Sequence, residues 1–196
     1  MRKTLLEGYV GVKFRAICRS AELPAACSAL HDLFRNCGEE LRTHQMTPAN
    51  GGNLSQQVDG GFVITTSGCN LGMIEPHELA LVESCDLESE RVTYAGPAKP
   101  SSEAMLHWLL YRDAPSVAAI VHAHDELATS SAVAGELRET AREEPYGTVA
   151  LAELAARAFA EGGDIIVLKN HGYVARGSDL RRATETVIRM HLRLVR

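Results

Sequence analysis

An apolar run at residues 119–126, AIVHAHDE, ends in two histidines one residue apart, His122 and His124. In an extended strand the side chains alternate with period two, so both imidazoles point to one face, a few ångströms apart. Two such rings are either neighbours by chance or two ligands of one metal ion, and the pair alone is a weak signal. A second apolar run, DIIVLKN, is followed at once by His171 and Gly172. Two strands that each deliver imidazole at their end can assemble a three-histidine site. Three protein ligands with an open position are the pattern of catalytic zinc, whereas structural zinc is closed by four. The other histidines of the eight (His31, His44, His77, His107, His191) lie on helices or loops without such convergence and read as surface or internally satisfied groups.

Chemistry at such a site also needs a carboxylate and a place to hold substrate. Glu103 follows Ser101 and Ser102 at the start of a helical pattern. An acidic residue in a first turn complements the helix dipole, and either serine can act as a cap. The same hydroxyls and free backbone N–H groups also make an anion site. Asn53 in NGGN adds an amide, and Ser67 and Gly68 in TTSG add a hydroxyl and pliable backbone. Each patch alone is weak, because glycine and serine crowd every loop. Their order and spacing together carry more.

These groups must be positioned by alternating strands and helices. A period-two pattern (Val10, Val12, Phe14, Ala16, Cys18) predicts an opening strand, and Leu23, Ala26, Leu30, Leu33, Phe34, Cys37 and Leu41 predict one helix from Pro24 to about Thr43. Asp59-Gly60-Gly61 between NLSQQV and FVITT reads as a hairpin turn, and ALVESCDL with RVTYAG as a second strand pair. SSEAMLHWLLYRD reads as a helix, SVAAIVHAH as a buried strand, DELATSSAV as a helix, and TVALAELAARAFAEGGD as a helix ended by its glycines. DIIVLKNHG is a buried strand, and SDLRRATETVIRMHLRLVR a closing helix capped by Ser178. Without repeats or a linker, the pattern is one layered α/β domain with a mixed sheet.

Composition narrows the function classes. The 196 residues suit one domain, with 45% hydrophobic and 23% charged residues as in ordinary globular chains. A net charge of -5 argues against general nucleic-acid binding, so an anionic ligand must be held by local groups. The five cysteines are odd in number, scattered and without a CxxC pair, which fits reduced thiols. No stretch approaches the roughly 20 apolar residues of a membrane span, and the N-terminal apolar runs are too short for a signal peptide. A soluble cytoplasmic protein is expected.

In order along the chain, GGNLS, ITTSG, PSSE, AIVHAH and VLKNHG resemble the class II aldolase/adducin family, nearest to its zinc-dependent fuculose-phosphate aldolase branch and, in compactness, to archaeal-type members. The resemblance runs from about Leu30 onward and leaves residues 1–20, with the opening strand, outside it. It implies a single domain over 1–196 with a three-layer α/β/α fold and a mixed, largely antiparallel sheet. It also implies a homotetramer with active sites between subunits. One zinc per subunit would be held by His122, His124 and His171, with Glu103 as fourth ligand at rest and as the catalytic acid/base. Asn53, Ser67, Gly68, Ser101 and Ser102 would bind the substrate phosphate. The implied activity is that of a metal-dependent aldehyde-lyase: a ketose 1-phosphate, fuculose 1-phosphate-like, is exchanged through an enediolate with dihydroxyacetone phosphate and a short aldehyde.

The same family implies alternatives. Its pentulose-phosphate epimerases carry Asp in the place of Glu103, its methylthioribulose-phosphate dehydratases lack the paired serines, and its sugar-acid phosphate decarboxylases are left open by these motifs. Adducin-like scaffolds have lost the metal ligands. Compared with the bacterial aldolase branch, the segment between His124 and His171 is short and lacks the tyrosine that protonates the aldehyde oxygen. Tyr146, in EEPYG, is the candidate replacement.

Overall fold

A computed structural model describes residues 12–125 and 137–195. Nine strands form one sheet in the order β1-β5-β4-β3-β2-β6-β9-β8-β7. They are β1 (Arg15–Ser20), β2 (Asn53–Val58), β3 (Gly61–Thr65), β4 (Leu79–Asp86), β5 (Arg91–Ala95), β6 (Ala119–Ala123), β7 (Arg138–Glu139), β8 (Ile165–Leu168) and β9 (Gly172–Gly177). Only the two edge pairs among these, β1 with β5 and β7 with β8, are parallel. The rest of the sheet is antiparallel, as the resemblance implies. The opening strand therefore extends the sheet beyond the expected family unit.

Helices cover both faces. On one side lie α1 (Ala25–Ser28), α2 (His31–Thr43) and α5 (Leu180–Leu194), packing Phe34, Leu41, Ala183 and Val187 onto Leu54, Val63, Val121 and Ala175. On the other lie α3 (Ala104–Asp113) and α4 (Val149–Ala160), packing Met105, Leu109, Leu151 and Phe159 onto Phe62, Ile64, Ile120 and Val174. Neighbours in a strand divide between the layers, Val121 to one and Ile120 to the other, as period-two alternation demands. Each large side chain so buried contributes about 1.5–3 kcal/mol. The three-layer α/β/α fold follows from these two cores. The five cysteines are free, and no helix among the described residues is long and apolar enough to cross a membrane.

Several elements differ from the sequence reading. The first helix is two, because the chain turns at Ala29 and Leu30 before α2 begins. DIIVLKNHG is not one strand: β8 stops at Leu168 and β9 returns from Gly172, with Asn170 at φ 58 in the turn. That left-handed conformation is one asparagine tolerates. The closing helix is capped by Asp179, whose side chain accepts from the Arg182 N–H at 2.9 Å, rather than by Ser178. Neither Ser101 nor Ser102 caps α3; Glu103 occupies the cap position, and the Ser101 hydroxyl accepts from the Glu103 N–H at 3.3 Å. The helix expected in DELATSSAV lies mostly outside the described residues.

Candidate active site

The three histidines meet at one end of the sheet. His122 is the fourth residue of β6, His124 follows that strand's end, and His171 sits in the β8–β9 turn beside it. The pairing of β6 with β9, Ala123 opposite Tyr173, brings the turn to His124. Gly172 permits this, since a Cβ there would lie 2.3 Å from the Ala123 carbonyl oxygen. The three rings form a near-equilateral triangle, each pair of centroids 4.8 Å apart, with nitrogens all within 4.8 Å of one another. His122 is fully buried, and its Nδ1–H donates to the Tyr173 carbonyl at 2.8 Å. That bond fixes the tautomer and turns the Nε2 lone pair toward the other rings.

Burial pushes the pKa of His122 down to about 3, with the neighbouring His171 adding to the shift. His124 is pushed down to about 3 by burial and then by His122 and His171. Both are therefore neutral ligands near neutrality. Their Nε2 atoms are 2.9 Å apart, where two bare lone pairs repel unless one nitrogen carries a proton or both share a cation. Glu103 completes the cluster: its Oε2 is 3.2 Å from His122 Nε2 and accepts from Asn53 Nδ2 at 2.7 Å. Its Oε1 is buried without a partner. Three imidazoles around a point with a buried carboxylate beside them are a donor set that suits zinc.

The anion patches converge on the same place. Asn53, Ser67, Gly68, Ser101 and Ser102 line one cleft of about 160 Å³ together with Glu103, His124, His171 and Tyr146. The turn carrying Ser67 is tied to the serine pair by backbone bonds, Ser67 N–H to the Lys99 carbonyl at 2.9 Å and Ser101 N–H to the Thr65 carbonyl at 3.0 Å. Gly51 lets the NGGN segment pass over the histidines, since a Cβ there would come within 2.8 Å of His124 Nδ1. All nine expected site residues are thus in one region, His122 behind the cleft wall and the others on it. One detail differs from the expectation for Asn53. Its Nδ2 already spends a proton on Glu103, so it orients that carboxylate and has one proton left for a ligand.

Two histidines read as surface or satisfied groups are structurally engaged. His107 is fully buried one turn beyond Glu103, its Nδ1 2.6 Å from Ser55 Oγ and its Nε2 without a partner. Burial pushes its pKa down to about 3. His191 binds the buried Asp125 at 2.8 Å, tying α5 to the residue after His124. The i, i+4 spacing from Glu103 was the available signal for His107; nothing local marks His191.

Known proteins resemble this chain in sequence and fold. A 5-methylthioribulose-1-phosphate/5-deoxyribulose-1-phosphate aldolase from Rhodospirillum rubrum is 28% identical over 180 residues, 85% of this chain and 79% of that protein. An L-fuculose phosphate aldolase from Methanococcus vannielii is 31% identical over 147 residues, 68% of this chain and 76% of that protein. Among solved structures, an L-fuculose 1-phosphate aldolase superposes with a TM-score of 0.72 at 26% identity, covering 90% of this chain and 86% of that one. Relatives named as a dehydratase and as a decarboxylase match as well, so the likeness reaches across several sugar-phosphate reactions. The family described as Class II Aldolase and Adducin N-terminal domain matches residues 33–192, most of the chain, and this protein belongs to it.

Proposed function

We propose that the chain is a zinc-dependent aldolase that cleaves or forms a ketose 1-phosphate of the fuculose 1-phosphate kind, with dihydroxyacetone phosphate and a short aldehyde as the other partners. The observation that carries this reading is the meeting of three imidazoles and a buried carboxylate with a cleft walled by hydroxyls and amides. One zinc per subunit, held by His122, His124 and His171 with Glu103 at rest beside them, supplies when bound the positive charge that a ketose carbonyl and an enediolate require. Ser67, Gly68, Ser101 and Ser102, with the remaining proton of Asn53, hold the phosphate beside the start of α3, where the helix dipole favours an anion. Glu103 moves the proton between its carboxylate and the substrate carbon that forms or breaks the bond. Its burial and its fixed contact with Asn53 place that base in a dry setting. Tyr146 is the one phenol among the described residues that line the cleft, and we assign to it the proton for the aldehyde oxygen. The same reading takes the chain as one domain acting in a cytoplasmic homotetramer whose sites lie between subunits.

The test is a partial reaction. Zinc-loaded enzyme is incubated in deuterated water with dihydroxyacetone phosphate and no aldehyde. Deuterium should enter the hydroxymethyl carbon stereospecifically, and unphosphorylated dihydroxyacetone should exchange far more slowly. Glu103→Gln should lower the rate about 100-fold or more, the usual worth of a positioned base. Tyr146→Phe should depress aldol turnover more than exchange. Absence of exchange above a zinc-free control overturns the aldolase reading and moves the assignment toward the dehydratase or decarboxylase reactions for which other relatives are named.

A further inference from the structure

β2 and α3 share a polar seam that the chemistry above leaves partly unused. Asn53 and Ser55 alternate to one face of β2, while Glu103, His107 and Tyr111 recur every four residues along α3, so the two rows meet rung by rung. On the first rung Asn53 Nδ2 donates to Glu103 Oε2 at 2.7 Å. On the second, Ser55 Oγ lies 2.6 Å from His107 Nδ1 and 2.7 Å from the Tyr111 hydroxyl. All five side chains are buried, and the Phe62 ring stacks on the His107 ring at 6.4 Å. Three polar atoms of the seam have no partner: Oδ1 of Asn53, Oε1 of Glu103 and Nε2 of His107. The last two belong to residues one helical turn apart.

The direction of the second rung decides what that nitrogen offers. Among the described residues, Ser55 Oγ, 2.7 Å away, is the side-chain acceptor available to the Tyr111 hydrogen. Ser55 then gives its own hydrogen to His107 Nδ1, and the ring proton of His107 resides on Nε2. The reverse direction would leave the phenolic hydrogen buried without an acceptor. We infer that His107 is a positioning residue for Glu103: its Nε2–H is the donor that receives Oε1 when the carboxylate turns from its resting contact toward the substrate carbon. Glu103 thereby has two defined stations, one at Asn53 and His122, the other at His107, and the Tyr111–Ser55 relay keeps the second one a donor. As to reaction, the inference rests on the aldolase reading; as to tautomer, it stands alone.

Two measurements test it. Nitrogen-15 spectra of zinc-loaded wild-type enzyme with labelled histidine, the His107 signals assigned by their loss in His107→Gln, should show a protonated Nε2 and an unprotonated Nδ1. The opposite tautomer overturns the inference. His107→Gln places an amide near the Nε2 position and can still serve Glu103, whereas His107→Asn places one near Nδ1 and can serve only Ser55. The Asn variant should lose about 10–100-fold in kcat for exchange, the scale of an outer hydrogen-bonding partner. Its KM and zinc content should be kept, and the Gln variant should recover most of the loss. A purely structural role through Ser55 predicts the reverse order, and that order, or equal rates, would refute positioning. If the wild type shows no exchange, the aldolase reading fails and the tautomer alone decides.

Discussion

Zinc-free protein should lose stability steeply as the pH falls below about 6.5, and saturating zinc should raise stability throughout without flattening that fall. His107, His122 and His124 each have a pKa pushed down to about 3, burial being the largest cause in all three. In the unfolded chain a histidine binds its proton near pH 6.5, so between about pH 6.5 and 3 the unfolded state holds more protons than the folded one. Stability is therefore complete above that window and falls as the pH falls through it. At about pH 5 the gap is about 1.5 units, or about 2 kcal/mol per histidine. His122 and His124, with nitrogens 2.9 Å apart, titrate as a pair rather than independently. The total is about 4–6 kcal/mol, comparable to the whole stability of an ordinary domain. Urea unfolding of zinc-free and zinc-saturated protein between about pH 7.5 and pH 5 measures it. Saturating zinc keeps the folded ligands unprotonated in the same way while the unfolded chain still takes up protons, so the zinc-saturated protein should start from a higher stability and fall by at least as much. A flat profile in the zinc-free protein, or no upward offset from zinc at about pH 7.5, would refute three buried neutral histidines with two of them on the metal.

Other outcomes follow from the same geometry. His122→Ala, His124→Ala and His171→Ala should each abolish stoichiometric zinc retention while far-UV circular dichroism shows the fold largely kept; zinc retained at full stoichiometry by any one of them removes that residue from the ligand set. Light scattering on a sizing column should report a tetramer, and a fully active monomer at working concentration would contradict sites shared between subunits.

How much of this was legible in the sequence depends on whether a feature is set by local period or by tertiary pairing. His122 and His124 were legible because strand alternation puts residues two apart on one face, and His171 because it directly follows an apolar run. The hairpin of β2 and β3 was legible from Asp59-Gly60-Gly61, where Gly60 has φ 83 and Val58 pairs with Gly61. The missed strand β9 lies only three residues beyond β8, with no glycine or proline before His171 to announce a turn. The misplaced caps arose where two capping residues adjoin: Ser178 and Asp179 are equivalent in type, and the extended backbone of Asp179 (φ -163, ψ 169) decides between them.

His107 shows why the remainder was not legible. It sits in AMLHWLLYRD, where seven of its eight helix companions before Asp113 are apolar or aromatic, and such a segment reads as core. Its meaning comes from Ser55, 52 residues away in sequence, and from an unpartnered nitrogen that only a folded neighbourhood can define. Glu103 has the same dependence on Asn53, 50 residues away. Residue type and spacing therefore brought the three imidazoles together, since strand period and the ends of apolar runs carry that. The groups that orient Glu103 lie across the β2–α3 seam, and that seam exists only once β2 has been placed between β3 and β6. It follows that substitutions at Ser55 or Tyr111, neither of which lines the cleft, act on the same carboxylate as substitutions within it.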